Sequence, residues 1–385
     1  MRIELPQNVQ TIIHTLQAHG YEAYAVGGCV RDSLLGREPD DWDITTSATP
    51  QETKALFSRT VDTGIAHGTI TVLMEKGGFE VTTYRVDGEY EDSRHPKEVQ
   101  FTSQLLEDLK RRDFTINAMA YNPDRGIVDA FDGIGDLERK IIRCVGVPQE
   151  RFDEDALRIM RAVRFSAQLG FEIDGPTKEA ITEKVQQLEN ISAERIQMEL
   201  VKILVSEHPE YMRLACDLGI TAVVLPEYDR IRGVSQYTPN HIYDVEEHTL
   251  RAMMNIVPDK VLRLTMLMHD FGKPDVKKVV EGGREIFYKH PEVSAAYAEK
   301  IMRRLKFDND TRTKVVRLVK WHGLKYDASE VSVRRALNRV GQDIFEDFIK
   351  VQHADIEAKN PSVIPGKLAL LVEKEKTYHK VIAEG

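Results

Sequence analysis

The chain has few cysteines and no long apolar segment. Its three cysteines among 385 residues are Cys29, Cys144 and Cys216, which lie far apart and form no Cys-x-x-Cys pair. This spacing excludes a disulfide-rich scaffold and favours reduced thiols. No apolar run approaches the roughly 20 residues that a membrane-spanning helix needs, and residues 1–6 lack the features of a secretory signal peptide. We therefore expect a cytoplasmic protein without a membrane partner.

An excess of positive charge is also absent. The 53 lysines and arginines are outnumbered by 62 aspartates and glutamates, so the net charge is −9. This balance excludes a general polyanion binder coated in positive charge, but a local basic face can still bind RNA. The hydrophobic content of 42% is that of an ordinary globular protein, and the length predicts two to three domains.

Periodicity predicts a mixed first part and a helical second part. Helices are predicted at 7–19, 29–36 and 50–57, and strands at 22–27, 42–44, 68–74 and 78–84. Strand patterns nearly vanish after about residue 145, and from Asp153 apolar residues recur at helical spacing. The predicted fold class is therefore α+β: a small α/β head with a mixed sheet plus helices, followed by an all-helical remainder.

The most informative segment joins a glycine turn to a pair of aspartates. Gly27 and Gly28 precede a predicted helix that carries Arg31, and Asp41 and Asp43 follow it. Alternate residues of a strand project to the same face, and two adjacent carboxylates repel unless a cation such as Mg²⁺ lies between them. The glycines leave room for a triphosphate beside backbone N–H groups. Either motif alone is common, but together they predict nucleotidyl transfer with two Mg²⁺ ions.

Two features after this segment extend the predicted site. Glu80, in a strand-like run, is a third candidate carboxylate, with a surface role as the equally weighted alternative. The polar stretch 85–96 has no apolar periodicity and is predicted to be a mobile loop beside the site. An inert connection is the alternative for this stretch.

The segment 111–118 supplies groups that suit a nucleotide. Arg111 and Arg112 offer fork-shaped donors for phosphate oxygens. Asp113 and Asn117 share one face if the segment is helical, and an asparagine side chain suits a ribose hydroxyl. The alternative is an ordinary helix start capped by Asp113.

A carboxylate and a guanidinium in the segment 154–161 could choose between bases. In a helix, Asp155 and Arg158 are neighbours at i and i+3. Asp155 can accept from the exocyclic amine of cytosine or adenine while Arg158 donates to the adjacent ring nitrogen. Uracil and guanine present the opposite pattern, which leaves buried polar groups unpaired. The pair therefore predicts selection of C and A, with an ordinary helical ion pair as the alternative.

These motifs, in this order, resemble the class II tRNA nucleotidyltransferase family, which includes CCA-adding enzymes and bacterial poly(A) polymerases. The resemblance covers roughly the first 200 residues, through the segments 27–43, 67–69, 80, 85–96, 111–118, 129–135, 154–161 and 192–200. It implies addition of C, C and A to the 3′ end of the tRNA acceptor arm from CTP and ATP, with release of pyrophosphate. It also implies a head, neck, body and tail arrangement.

The resemblance assigns roles to individual residues. It implies that Asp41 and Asp43 hold two Mg²⁺ ions, with Glu80 as the third catalytic candidate. The nucleotide-binding candidates are Gly27, Gly28, Arg31, Arg111, Arg112, Asp113, Asn117, Glu154, Asp155, Arg158 and Arg161. The loop at 85–96 is of full length, which implies that terminal A addition is retained. An A-adding enzyme or a poly(A) polymerase is the alternative within the family.

Histidines and aspartates in the second half resemble the HD phosphohydrolase superfamily. The residues that carry this resemblance are His248, His269, Asp270, His290, His322 and Asp355. Imidazoles and carboxylates together suit Mn²⁺, Fe²⁺, Co²⁺ or Ni²⁺, and a bridged hydroxide can cleave a phosphoester. The second functional hypothesis is thus an HD phosphohydrolase acting on RNA 3′ ends or nucleotides. A vestigial HD fold with core histidines is the alternative.

The expected organisation has five parts. They are a nucleotidyltransferase head at 1–145, a neck with the base-selecting motif at 146–205, a body segment at 206–235, an HD-like domain at 236–357 and a C-terminal helical segment at 358–385. Family members often run longer, so a terminal piece is expected to be missing. Basic residues at 303–335 are expected to follow the tRNA backbone in a salt-sensitive way. The oligomeric state is not predicted.

Overall fold

The computed structural model describes residues 2–75, 77–87 and 99–384, and the chain divides into two units. The first comprises Met1–Ala162 and Phe171–Asn190, and the second comprises Val163–Gly170 and Ile191–Gly385. Across the described residues, no helix combines the length and the apolar character that membrane spanning requires. The finer division into five parts stays a prediction.

The first unit is built on a mixed sheet. Its described strands are β1 Ala23–Val26, β2 Ile44–Thr46, β3 Thr60–Gly64, β4 Thr69–Met74, β5 Gly77–Thr83, β6 Arg85–Asp87, β7 Val99–Phe101, β8 Met119–Asn122, β9 Gly126–Asp129, β10 Ile141–Ile142 and β11 Glu172–Ile173. The main sheet has the order β3-β4-β5-β2-β1-β8-β9. Its β2–β5 pair is parallel and the other pairs are antiparallel. This confirms the α+β class and the mixed sheet of the head.

Helices surround this sheet in the first unit. They are α1 Gln7–Ala18, α2 Gly28–Leu34, α3 Pro50–Leu56, α4 Leu105–Lys110, α5 Gly133–Arg139, α6 Pro148–Glu154, α7 Leu157–Leu169, whose last residues belong to the second unit, and α8 Gly175–Lys184. Helix α1 buries Val9, Ile12, Ile13 and Leu16, as its 3.6-residue period predicts. Helix α3 starts at a capping box between Thr49 and Glu52.

The second unit is almost entirely helical. Besides the end of α7, its helices are α9 Ala193–Leu204, α10 Met212–Asp217, α11 Ile220–Val224, α12 Pro226–Asp229, α13 Val245–Met254, α14 Lys260–Met268, α15 Lys273–Val276, α16 His290–Arg304, α17 Asn309–Trp321, α18 Glu330–Val340, α19 Phe345–Glu357 and α20 Ile364–Ala383. Helix α14 is buried along most of its length and packs against α13, α17 and α19. The short hairpin β12 Lys278–Val279 and β13 Glu285–Ile286 interrupts an otherwise helical region.

Two local predictions differ from the structure. Strand β3 was not expected, because its residues are mostly polar and exposed. The first residues of the predicted loop at 85–96 form β6, which pairs with β7, so the loop prediction is wrong for 85–87. The rest of that loop lies outside the described residues.

The turn between β1 and α2 requires a glycine. Gly27 has φ +80° and ψ −128°, a conformation that side chains other than hydrogen rarely adopt. A β-carbon there would lie 3.1 Å from Nη1 of Arg112. The Gly27 N–H donates to the carbonyl oxygen of Met119 at 3.0 Å. This N–H is therefore used within the head, unlike the free donor that the sequence suggested.

We predict that Gly27→Ala destabilises the head by at least about 2 kcal/mol, because it adds backbone strain and a contact with Arg112. Gly36→Ala is the matched control, since Gly36 also has positive φ (+69°) but has open space around the added carbon. The control should lose only about 1 kcal/mol. Urea unfolding followed by Trp42 fluorescence, in a Trp321→Phe background, measures both. Equal losses would show that the contact with Arg112 is unimportant.

Candidate active site and candidate metal centre

Three carboxylates converge at one edge of the head. Strands β2 and β5 are parallel, with Ile44 opposite Val81, so Asp43 and Glu80 are neighbours one residue earlier. The pKa of Asp43 is raised by partial desolvation, lowered by Arg112, and raised again by Glu80 and Asp41. The acidic groups are thus close enough to repel one another. A set of oxygen ligands of this kind fits Mg²⁺.

The two aspartates precede the strand on which they were predicted. Strand β2 begins at Ile44, which is fully buried, whereas Asp41 and Asp43 are exposed. The prediction of a strand at 42–44 therefore starts it too early. Regular strand pairing of β2 begins at Ile44, where the side chains enter the core. One backbone hydrogen bond precedes it, from the Val26 N–H to the Asp43 carbonyl oxygen at 3.0 Å. This bond positions Asp43 beside the glycine turn.

A chain of hydrogen bonds links helix α2 to the segment 113–117. The Arg31 guanidinium donates to both carboxylate oxygens of Asp32 at 2.8 and 2.9 Å and to Oδ1 of Asn117 at 2.7 Å. The Asn117 amide donates to Oδ1 of Asp113 at 3.3 Å. The predicted proximity of Asp113 and Asn117 is confirmed, although only residues 115–117 form a short 3₁₀ turn.

Asp113 is an organising residue of this network. It is buried, and its Oδ2 accepts from Nε and Nη2 of Arg161 at 2.8 and 2.5 Å. Burial alone would raise its pKa, but Arg161 and Arg158 hold the pKa of Asp113 well below its ordinary value. Since the Phe114 N–H also donates to it, most of its acceptor capacity is used within the protein. This favours a positioning role over direct contact with a ribose.

Asp108 was missed by the sequence analysis. It is completely buried on α4, where Oδ1 accepts from Nε and Nη2 of Arg111 at 3.1 and 2.8 Å and Oδ2 accepts from Nη2 of Arg112 at 3.3 Å. Burial opposes ionisation, but Arg112 and Arg111 lower the pKa of Asp108. The available signal was its spacing, three and four residues before the arginines. Asp108 therefore holds the two predicted phosphate-binding groups in place.

The base-selecting residues lie at a break between two helices. Asp155 has extended dihedral angles (φ −148°, ψ 103°) after α6, and its carboxylate accepts from the Leu157 N–H at 3.0 Å at the start of α7. The condition under which Asp155 and Arg158 are helical neighbours at i and i+3 is therefore not met, because Asp155 lies between the two helices and its side chain caps the second one. Arg158 contacts the Glu154 carboxylate and donates to the Arg111 carbonyl at 2.9 Å. These bonds link the base-selecting segment to the arginine segment.

We predict that Asp108→Asn costs the head about 3 kcal/mol at pH 7, because two nearly buried guanidinium groups lose their counterion. The pKa of Asp108 is lowered in the fold, so its stabilisation exists above the pKa of the unfolded state and is lost as the pH falls through the folded value. The wild-type advantage should thus be constant from pH 5 to 8 and shrink below pH 4. Trp42-monitored unfolding measures it, and Glu107→Gln on the same helix is the control. A loss of similar size in the control would contradict this role.

In the second unit, four histidines are oriented in the same way. Each places Nδ1 next to a backbone carbonyl, which can only accept, so Nδ1 carries the proton. The pairs are His248 with Ala358 at 3.1 Å, His269 with Met266 at 2.7 Å, His290 with Phe287 at 2.8 Å and His322 with Val319 at 2.7 Å. This leaves Nε2 of each ring available as a ligand, the arrangement usual for metal-binding histidines.

The four Nε2 atoms converge around one carboxylate. Those of His248 and His269 lie 3.3 Å apart, and those of His290 and His322 lie 3.2 Å apart. Asp270 lies between the pairs, with Oδ2 3.1 Å from Nε2 of His269 and Oδ1 3.3 Å from Nε2 of His290. The structure thus contains two groups of candidate ligands that share Asp270. Lone pairs at these separations repel unless cations lie between them.

The sixth predicted residue and two lysines complete this cluster. Asp355 places Oδ1 3.0 Å from Nε2 of His248. Lys273 lies 2.6 Å from Oδ2 of Asp270, and Lys359 pairs with Asp355. Although burial would lower it, Asp270 and Asp355 raise the pKa of His269. The lysines were missed, but both follow a predicted ligand by three or four residues.

The basic surface expected at 303–335 is partly neutralised within the protein. Arg304 pairs with Glu227 at 2.7 Å, and Arg317 pairs with Asp343 at 2.8 Å. Such pairs reduce the charge available to an RNA backbone. The sequence argument for this surface is correspondingly weaker.

Comparison with known proteins matches each part of the chain. Three family models match: "Poly A polymerase head domain" at residues 23–143, "Probable RNA and SrmB-binding site of polymerase A" at 170–231, and "HD domain" at 239–359. The head and the HD domain are metal-dependent families, and the two histidine–aspartate groups of candidate ligands lie within the HD match.

Curated relatives are similar over about half to two thirds of the chain. The CCA-adding enzyme of Lactiplantibacillus plantarum is 53% identical over 203 residues, covering 53% of this chain and 50% of the relative. That of Levilactobacillus brevis is 46% identical over 264 residues, covering 68% and 63%. The chain thus spans about half to three-fifths of the length of these relatives.

Solved structures are similar over nearly the whole chain. The CCA-adding enzyme of Bacillus stearothermophilus in complex with CTP is 31% identical with a TM-score of 0.73, covering 98% of this chain and 82% of that one. The Thermotoga maritima CCA-adding enzyme complexed with tRNA is 20% identical with a TM-score of 0.53, covering 98% and 81%. The second likeness concerns the fold alone.

Proposed function

The chain belongs to the CCA-adding enzyme family, and from this premise we propose that it adds C, C and A to the 3′ end of tRNA. The substrates are CTP and ATP, no template is used, and pyrophosphate is released. The observation that carries this proposal is the convergence of Asp41, Asp43 and Glu80 beside Arg112. This arrangement puts metal-binding oxygens next to a donor suited to phosphate.

The head supplies the groups for the transfer step. Asp41 and Asp43, with Glu80 beside them, would hold Mg²⁺, which would supply charge stabilisation for the attacking 3′-hydroxyl and the leaving pyrophosphate. Arg111 and Arg112, fixed by the buried Asp108, donate to the phosphate oxygens. Because these donors are held before the nucleotide binds, they need little reorganisation as charge develops.

Base selection is assigned to the junction of α6 and α7. Asp155 accepts from the amine of cytosine or adenine, and Arg158 donates to the ring nitrogen. Glu154 and the Arg111 carbonyl hold the Arg158 guanidinium in place. A fixed donor and a fixed acceptor discriminate strongly, since the wrong base leaves both unpaired.

The proposal is tested with tRNAs that end before CCA, after C and after CC. Each is incubated with Mg²⁺ and with CTP, ATP, UTP or GTP alone, and with CTP plus ATP. We expect C, C and A in order, followed by termination. Activity restricted to the CC-ended tRNA with ATP indicates an A-adding enzyme, and continued A addition indicates a poly(A) polymerase.

We predict that Asp43→Asn reduces nucleotide incorporation at least about 100-fold, because it removes a charged metal ligand. Asp40→Asn is the matched control, since Asp40 is an exposed carboxylate in the same segment. It should retain near-normal kcat. Single-turnover incorporation of CMP into tRNA lacking CCA measures both variants. Near-normal activity of Asp43→Asn would overturn the assignment of the active site.

A second candidate function is phosphoester hydrolysis by the HD domain, on RNA 3′ ends or nucleotides. The observation that favours it is the convergence of four Nε2 atoms on Asp270, which the alternative of inert core histidines does not explain. The ligand set suits Mn²⁺, Fe²⁺, Co²⁺ or Ni²⁺. Removing transition metals while keeping Mg²⁺ separates the two activities, since only the hydrolysis should be lost.

We predict that the metal-free protein binds two Mn²⁺ ions at the HD cluster when the head ligands are removed by Asp41→Asn/Asp43→Asn, and that adding His290→Ala leaves one, because His290 belongs to only one of the two ligand groups. His353→Ala, an exposed histidine of α19, is the control. The raised pKa of His269 means that protons compete with the metal as the pH falls. Affinity should therefore decrease from pH 8 to pH 6. Isothermal titration calorimetry measures stoichiometry and affinity, and absence of binding would support the vestigial alternative.

The five-part organisation and the cytoplasmic location belong to the same proposal. The thiols Cys29, Cys144 and Cys216 are unpaired, which is compatible with a reducing compartment.

A further inference from the structure

Two neighbouring cavities open at the HD cluster. The first, here called the metal pocket, has a volume of about 460 Å³ and is lined by residues that include Asp270, Lys273 and His290. The second, here called the lysine pocket, has a volume of about 390 Å³ and is lined by residues that include Tyr326 and Leu370. Both are lined by His322, Gly323, Lys325, Asp355 and Lys359. The two cavities therefore adjoin each other at this shared wall.

Four lysines line the lysine pocket. Lys325 follows α17, Lys359 follows α19, and Lys367 and Lys374 lie on α20. The last two are seven residues apart, so they share one helix face about 10 Å from each other. Lys359 is paired with Asp355. Among the described residues, the other three lysines form no direct ion pair, so lysines outnumber carboxylates in the lining of this pocket.

The lysines also act on one another. Burial lowers the pKa of Lys367, and Lys359 and Lys325 lower it further. Burial lowers the pKa of Lys374, Asp327 partly offsets this, and Lys367 lowers it further. Asp355 likewise partly offsets the effect on Lys367. Like charges have thus been brought together with only partial compensation, an arrangement that a bound anion would stabilise.

An apolar wall accompanies this charge. The Lys374 ammonium lies 4.3 Å from the centre of the Tyr326 ring. Leu370 is 44% exposed and lies on α20 between the two lysines of that helix. Apolar surface with a few charged groups is typical of small-ligand sites, and the volume is in the range of such sites. A pocket of this size with an apolar wall therefore fits a nucleotide better than the backbone of an RNA duplex.

We propose that the lysine pocket is a second phosphate subsite of the HD site, which makes nucleotides carrying an additional phosphate its substrates. This inference rests on the proposed phosphoesterase function and specifies its substrate class. One phosphate lies at the metal pocket and the other at Lys367 and Lys374. In the hydrolysis, a water oxygen bonds to phosphorus, the P–O bond to the nucleoside breaks, and a proton passes to the leaving oxygen. A nucleoside bisphosphate and the 3′ end of a short RNA both carry this chemistry.

Binding to the metal-free protein tests the subsite without requiring activity. Calorimetry compares adenosine 3′,5′-bisphosphate with adenosine 3′-monophosphate in the presence of EDTA. We expect the bisphosphate to bind about 10-fold more tightly, because charge-assisted hydrogen bonds to lysine hold the second phosphate. Lys367→Gln/Lys374→Gln should abolish this preference and leave monophosphate binding unchanged. Lys376→Gln, an exposed lysine of α20 outside the pocket, is the matched control and should behave as the wild type.

Further binding and hydrolysis measurements identify the molecule that carries the phosphate and show which part of the inference fails. A trinucleotide with a 3′-phosphate that shows the same lysine dependence identifies an RNA end as a ligand, whereas dependence restricted to the bisphosphate identifies a free nucleotide. Equal affinity for mono- and bisphosphate overturns the inference even if Mn²⁺-dependent hydrolysis occurs. A retained preference without any hydrolysis rejects the phosphoesterase function and leaves the subsite in place. Reduced tRNA binding in the double variant, with bisphosphate binding unchanged, assigns the lysines to a tRNA contact and also overturns the inference.

Discussion

Repulsion between like groups is the constraint on which both candidate sites depend. In the head, Asp41 and Glu80 crowd Asp43 and raise its pKa. In the second unit, imidazole nitrogens approach to 3.2 Å with their lone pairs inward. Neither arrangement is favourable by itself, so the surrounding fold must hold these groups in place. In the head, the parallel pairing of β2 with β5 holds the carboxylates together. In the second unit, backbone carbonyls that accept from Nδ1 hold the histidine rings in place. In both candidate sites, backbone pairing and hydrogen bonds outside the ligand atoms hold the ligands in positions suited to cations.

Buried carboxylates perform the corresponding task for the arginines. A guanidinium free in solution has many rotamers, and ordering it on binding costs free energy. Asp108 orders Arg111 and Arg112, and Asp113 orders Arg161. Both aspartates have lowered pKa values because the arginines outweigh their burial. In the proposed nucleotide complex, the phosphates would therefore meet donors that are already oriented, because the entropy of ordering them is lost during folding.

The sequence predicted local chemistry well and spatial organisation less well. The helix at 7–19 and the helices of the second half were predicted from the spacing of their apolar residues. This spacing predicts helices well because it determines which face of a helix is buried in the core. Strand β3 escaped prediction because an exposed edge strand of polar residues carries no such period. Asp155 was considered as a helical residue, because no local sequence signal separates an aspartate within a helix from one that caps a helix. Asp108, Lys273 and Lys359 were missed for a different reason. Their importance comes from partners that the fold brings to them, and charged residues at three-and-four spacing are common on any helix.

The two candidate centres differ in the chemistry of their donors, and this difference has a consequence within one chain. The head offers carboxylate oxygens at an exposed edge, which suit a hard cation that keeps part of its water. The HD cluster offers buried imidazoles with one shared carboxylate, which suit softer transition metals. A transition metal bound by nitrogen gains little by moving to the head, and Mg²⁺ gains little by losing its water to enter the histidine cluster. The two ligand sets therefore favour different cations, a preference that would let one polypeptide carry two metal chemistries.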